Sequence, residues 1–157
     1  MTLYATVLWF YDVMASVVFG ASVYESVVVH PAWSRNPPES FVGFMGAPIN
    51  RMNIPTFWVP VAPLYALSGL GALVVALWAG SPAVPLIVSA ACAISVVVWT
   101  LVYFRPTIGR FLEAEGGNTP AKRLQSEARR WILLNWIRVA MVGVSWWGAV
   151  IATVSHG

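Results

Sequence analysis

The chain has 157 residues, of which 59% are hydrophobic and only 10% charged, and its formal net charge is +3. A soluble domain is about a quarter charged and under half apolar, so this composition, with nine tryptophans and a single cysteine, excludes disorder, a coiled coil and a disulfide-stapled secreted domain. It points to an integral membrane protein, with no nucleic-acid partner, whose basic residues act as insertion signals.

A bilayer-crossing helix needs about 20 mainly apolar residues, and four stretches qualify: about 3–29, 54–79, 83–104 and 130–154. No basic residue precedes the first, Asp12 interrupts it, and no small-residue cleavage site follows, so it reads as a retained span and not a signal peptide. It exits as His30-Pro31-Ala32-Trp33-Ser34-Arg35. Asn50, Arg51 and Asn53 lead into span two, which opens with Pro55, Pro60 and Pro63. Prolines there free backbone carbonyls, which membrane depth tolerates only inside protein or beside a wet cavity. Gly80-Ser81-Pro82 is a turn that makes spans two and three an antiparallel hairpin. The small residues Ser89, Ala90, Ala91, Cys92, Ala93 and Ser95 let span three approach a neighbour closely.

Span three exits as Arg105-Pro106-Thr107-Ile108-Gly109-Arg110, each exit proline being placed to end its helix. Ile108 to Glu115 reads as a short cytoplasmic interfacial helix stopped by Gly116-Gly117. Thr119 as N-cap with Pro120 at the first helical position starts the last helix near residue 120. That helix projects about two to three turns beyond the bilayer. Its projecting segment, 122–130, is basic and amphipathic; it reads as a solvated face near anionic headgroups, or as a docking surface for a partner. The fold class is therefore all-α: one polytopic four-helix membrane bundle over 1–157 with a short interfacial helix.

Arg35, Arg51, Arg105, Arg110, Lys122, Arg123, Arg129 and Arg130 all fall in or beside the loops after spans one and three; of the nine basic residues only Arg138 does not. The positive-inside rule then puts both termini outside a multi-pass cell-membrane protein and the two basic loops in the cytoplasm. The two exits also share a pattern, a cation-capable residue, Pro and then Arg, at an offset of 75 residues. Parallel duplication of a helix pair would produce it, and so would the common use of Pro and Arg at such exits.

Ionisable groups at membrane depth cost about 2.5–3.5 kcal/mol to insert and call for pairing or function. Three occur: Asp12, Glu25 and Arg138. Asp12, Ser16, Phe19, Val23, Ser26 and His30 are spaced to share one face of span one, with Ser22 and Glu25 beside it. Trp131, Asn135, Arg138, Val142 and Ser145 form a stripe on span four, and the two stripes should meet. With a rise of 1.5 Å per residue, Glu25 lies about 6 Å, Arg138 about 12–15 Å and Asp12 about 25 Å from the inner ends. An arginine snorkelling inward reaches Glu25 more easily than Asp12, which makes Arg138–Glu25 the expected pair. Asp12 is left to bond Ser16, Tyr11 or Tyr65. Glu25, His30, Asn135 and Arg138, with Asn50, Asn53, Trp58, Tyr65 and Trp131, would outline a pocket open to the cytoplasmic leaflet. An ion pair that only fixes the bundle, and an irregular start to span two, explain the same residues. No haem, phosphate-loop or paired-histidine metal motif is present, and His156 lies at the far end from His30.

Four spans in this length, His30-Pro31-Ala32-Trp33, Tyr103-Phe104-Arg105-Pro106 and the Trp131–Asn135–Arg138 stripe resemble the anthrone-oxygenase-like membrane proteins, and the His-Pro-Ala-Trp exit resembles their bacterial branch. The resemblance implies oxidation of a small aromatic, polyketide-like substrate by O2 without metal or flavin. It implies Glu25 as base, His30 as its substitute, and Asn135 and Arg138 as stabilisers of an oxyanion. Tight pairing of Glu25 with Arg138 would compete with the role of base. The alternative is a non-enzymatic accessory subunit of a larger membrane assembly, supported by the many tryptophans and the basic helix; a small-solute transporter ranks third. Beyond the lipid bilayer, partners are a homo-oligomer or other membrane subunits.

Overall fold

A computed structural model describes residues 2–36, 40–41, 54–81, 84–113 and 120–155. The described residues contain helices and no strand: α1 (Leu3–Tyr24), α2 (His30–Trp33), α3 (Ile54–Trp78), α4 (Val84–Trp99), α5 (Arg105–Glu113) and α6 (Ala121–Val154). Four continuous helical runs are long and apolar enough to cross a membrane: Leu3–Trp33, Thr56–Trp78, Val84–Phe111 and Ala121–Val154. Their ends are set by local chemistry. The Thr2 hydroxyl caps α1 by accepting from the Ala5 N–H at 3.3 Å. α3 stops where Gly80 takes φ +65°, and Ser81 and Gly80 donate back to the Ala76 and Leu77 carbonyls.

The exit prolines do not end their helices as expected. The chain loosens ahead of each into a wide turn, Glu25–Val29 before His30-Pro31 and Thr100–Phe104 before Arg105-Pro106, then continues as helix. Proline has no N–H and collides with the carbonyl four residues back. Bonds between residues five apart, His30 N–H to Glu25 O and Arg105 N–H to Thr100 O, carry the helix past the collision. The interfacial helix is accordingly the continuation of span three, starting at Arg105 instead of Ile108. Pro120 occupies the capping position of α6 with extended backbone, one residue earlier than expected for it. Thr119, Gly116, Gly117, Pro82 and His156 lie outside the described residues. Pro60 and Pro63 are accommodated within α3, which runs unbroken through them. At 34 residues, α6 is the longest element; its length of about 51 Å exceeds a hydrocarbon core of about 30 Å, so it extends beyond the bilayer.

The four runs pack as a square, each against its two sequence-ordered neighbours, with α6 closing against α1. Two apolar cores result. One, in the half holding the N-terminus, contains Leu8, Tyr11, Ala15, Val18, Tyr65, Leu86, Ala93, Val142 and Ala149. The other, at the basic end, gathers Val29, Trp33, Phe41, Phe104, Phe111, Leu124, Ala128 and Trp131. Leu124 and Ala128 show that the projecting basic helix lays its apolar side on this second core. Of the small residues of span three, Ser89, Ala90 and Ala93 are buried and serve the close contact expected of them, while Ala91 and Ser95 are exposed; a Cβ added to Gly148 of α6 would lie 2.8 Å from the Pro85 carbonyl oxygen. Ser89 and Ser145 clasp this seam, each hydroxyl donating to the other's backbone carbonyl. Both serine protons being spent, Tyr11 shares its single hydroxyl proton between the two serine oxygens, at 2.6 and 2.9 Å.

Candidate functional site

Between the two cores runs a polar layer built from the first wide turn, α3 and α6. On an α-helix, residues five apart diverge by about 140°. The wide turn instead places Glu25 and His30 nearly one above the other, with Glu25 Oε2 4.0 Å from His30 Nε2. The other carboxylate oxygen, Oε1, accepts from the Trp58 indole N–H of α3 at 2.6 Å. Glu25 retains 15% of its side-chain exposure and His30 only 4%. The carboxylate is thus reachable while the imidazole is enclosed. On the bundle side of the ring, Asn135 Nδ2 lies 3.2 Å from His30 Nδ1 and donates to Ser26 Oγ at 2.8 Å. Ser26 in turn donates to the Ser22 carbonyl at 2.7 Å. The Trp131 ring stands edge-on to His30 at 4.7 Å, with Trp33 and Phe104 each 5.2 Å from Trp131. The buried Asn135 Oδ1 and Trp131 Nε1 have no hydrogen-bond partner among the described residues.

Arg138 corrects one expectation. It forms no ion pair with Glu25; among the described residues the pairs within 4.0 Å are His30–Glu25 and Arg123–Glu127. Arg138 Nη1 donates to Thr100 Oγ1 at 3.1 Å, and its guanidinium lies 4.6 Å from the Phe104 ring centroid. The physical reason is the second wide turn, which brings a hydroxyl and an aromatic face to the guanidinium, while Trp58 satisfies the carboxylate. Separation leaves both the anion and the cation available to a third group.

The remaining predicted residues fall elsewhere. Tyr65 belongs to the other core, stacked on Tyr11 at 6.1 Å, and does not join Glu25. Asp12 does not share the buried face of span one, which runs through Tyr11, Ala15, Val18 and Ser22 before Ser26 and His30. The wide turn adds about one residue to the register, so Ser26 and His30 continue the tyrosine stripe rather than the Asp12 stripe. Ser16, one of Asp12's expected partners, donates its hydroxyl instead to the Asp12 backbone carbonyl and receives the Trp146 N–H. Asn50 and Asn53, with Arg51, lie outside the described residues. Thr100 and Phe104 were not legible as site residues, although the offset of 75 residues would have pointed to Thr100 as the counterpart of Glu25. Among the described residues no three His, Cys, Asp or Glu side chains form a metal-binding group.

A family model described as anthrone oxygenase matches residues 53–147. The match spans α3 to α6 and includes Trp58, Thr100, Trp131, Asn135 and Arg138; Glu25 and His30 precede it. Neither the curated proteins nor the solved structures gave a match.

Proposed function

The chain belongs to the anthrone oxygenase family, and from that premise we propose that it oxidises a small tricyclic phenolic substrate of the anthrone type with O2, at the polar layer between spans one, two and four. The observation that carries this reading is the separation of Glu25 from Arg138: a carboxylate held by Trp58, and a guanidinium with no carboxylate within 4.0 Å among the described residues. Such a substrate has a methylene whose C–H bond is acidic because deprotonation gives an aromatic enolate. Glu25 takes that proton, and Arg138 stabilises the negative charge that develops on oxygen. The enolate passes one electron to O2, and the resulting radical and superoxide combine to form a C–O bond. Glu25 returns its proton to the peroxide. It then removes the remaining proton from the same carbon as the O–O bond breaks, leaving a carbonyl on the ring, and passes that proton to the departing hydroxide, which leaves as water. One O2 is reduced for each methylene converted to a ketone.

Asn135 has its amide N–H groups committed to Ser26 and His30, so the oxyanion role expected of it passes to Arg138. The positive-inside rule supports a cytoplasmic basic end and outward termini, with the lipid bilayer as the surrounding partner. The test is O2 uptake by purified protein in detergent supplied with a tricyclic anthrone. Uptake and quinone formation in equal amounts, above the rate without protein, support the reading; rates equal to that background contradict it.

A further inference from the structure

With Ser26 donating to the Ser22 carbonyl, the hydrogen bonds behind His30 assign one proton arrangement. Ser26 has a single hydroxyl proton, and it is spent on the Ser22 carbonyl at 2.7 Å. Ser26 Oγ can therefore only accept from the Asn135 atom 2.8 Å away, which fixes that atom as the amide nitrogen. The same nitrogen lies 3.2 Å from His30 Nδ1 and can only donate to it. Nδ1 must then be a bare acceptor. His30 is neutral, with its proton on Nε2, the nitrogen that faces Glu25 Oε2 at 4.0 Å.

We propose that Asn135 is a positioning residue that locks His30 in the Nε2–H form, so that His30 is a donor directed at Glu25 and never the base of the site. Glu25 then accepts the Trp58 N–H at 2.6 Å, has the His30 Nε2–H facing it from 4.0 Å, and is the group in this cluster able to accept a proton. A proton on Glu25 has no onward route through the imidazole, because Nδ1 is blocked by the Asn135 amide. The tautomer stands without reference to any reaction; its consequence rests on the oxygenase reading. There, both protons leaving carbon end in the product water, so a base with no exit to the bundle interior suffices: each proton returns to oxygen from the carboxylate that took it.

The experiment has two arms. In the first, histidine-labelled protein carrying His156→Gln, so that His30 gives the only signal, is read by 15N NMR without substrate. The expected spectrum has a protonated Nε2 and a bare Nδ1; replacing Asn135 with Asp, which can only accept, moves the proton to Nδ1. A wild-type spectrum with Nδ1 protonated overturns the proposal, and so does an Asn135→Asp spectrum unchanged in a folded protein. In the second arm, His30→Gln supplies an acceptor for Asn135 and an N–H for Glu25 but cannot act as a base. Its turnover stays within about tenfold of wild type, while His30→Leu loses about a hundredfold; loss of a true base by either change would cost about 10²–10⁴. Equal, large losses in both variants overturn the positioning role. If the wild type itself consumes no O2, the oxygenase reading fails and the spectra still decide the tautomer.

Discussion

Arg138→Met separates a catalytic cation from a structural one. Methionine keeps the unbranched apolar stem of the arginine side chain but removes the charge. On the structural side the change removes a hydrogen bond to Thr100 at 3.1 Å and a ring contact at 4.6 Å, with no ion pair to break. A hydrogen bond from a charged donor contributes about 1.5–3 kcal/mol and a cation–π contact about 0.5–2 kcal/mol. The desolvation of a partly buried guanidinium opposes both. Stability should therefore change by no more than about 2 kcal/mol, in either direction. The transition state loses more: one donor to a developing oxyanion is worth about 2.7–4 kcal/mol, or about 10²–10³ in kcat. The assay is O2 uptake at saturating anthrone, beside thermal unfolding followed by circular dichroism in the same detergent. A fall in kcat of about a hundredfold or more with an intact fold and little change in KM is the expected result. A kcat within about fivefold of wild type, well short of that loss, would refute the assignment of Arg138 to the oxyanion.

Other predictions concern the bundle. Gly148→Ala places a methyl group 2.8 Å from the Pro85 carbonyl oxygen and 3.0 Å from Ser89 Cβ, at a seam already clasped by two serines. Overpacking of that kind costs about 1–3 kcal/mol, read as a lower unfolding temperature. Gly71→Ala, with nothing within 4 Å of the added carbon, should be neutral or stabilising by up to about 1 kcal/mol; equal effects at the two sites would discredit the packing. In a Cys92→Ala background, Thr2→Cys should react with a membrane-impermeant maleimide in intact cells and Lys122→Cys only after lysis. The reverse pattern would overturn the orientation.

The bundle was readable because length and apolarity are one-dimensional properties: about 20 apolar residues suffice to define a span. Faces within a span were less so, since a helical wheel assumes a constant period. The wide turn at Glu25–Val29 breaks that period, which moved Asp12 off the buried face and brought Glu25 onto His30. Depth along the helix put Glu25 about 6 Å and Arg138 about 12–15 Å from their inner ends but could not decide their partners. Those were set by Trp58 from α3 and by Thr100 and Phe104 from the second wide turn, contacts between elements that no local pattern encodes. Tyr65 was drawn into the site by its position on the same span as Trp58, yet the two residues are seven apart, about two turns and about 10 Å along the axis.

Glu25 carries the proposed reaction, and turnover by Glu25→Gln tests it most directly. Glutamine preserves the shape and still accepts the Trp58 N–H, but it cannot take a proton. O2 uptake with an anthrone substrate should fall by at least about a hundredfold, as loss of a general base requires, in a protein that unfolds at close to the wild-type temperature. Uptake within about tenfold of wild type would contradict the role given to Glu25 and the proton path built on it.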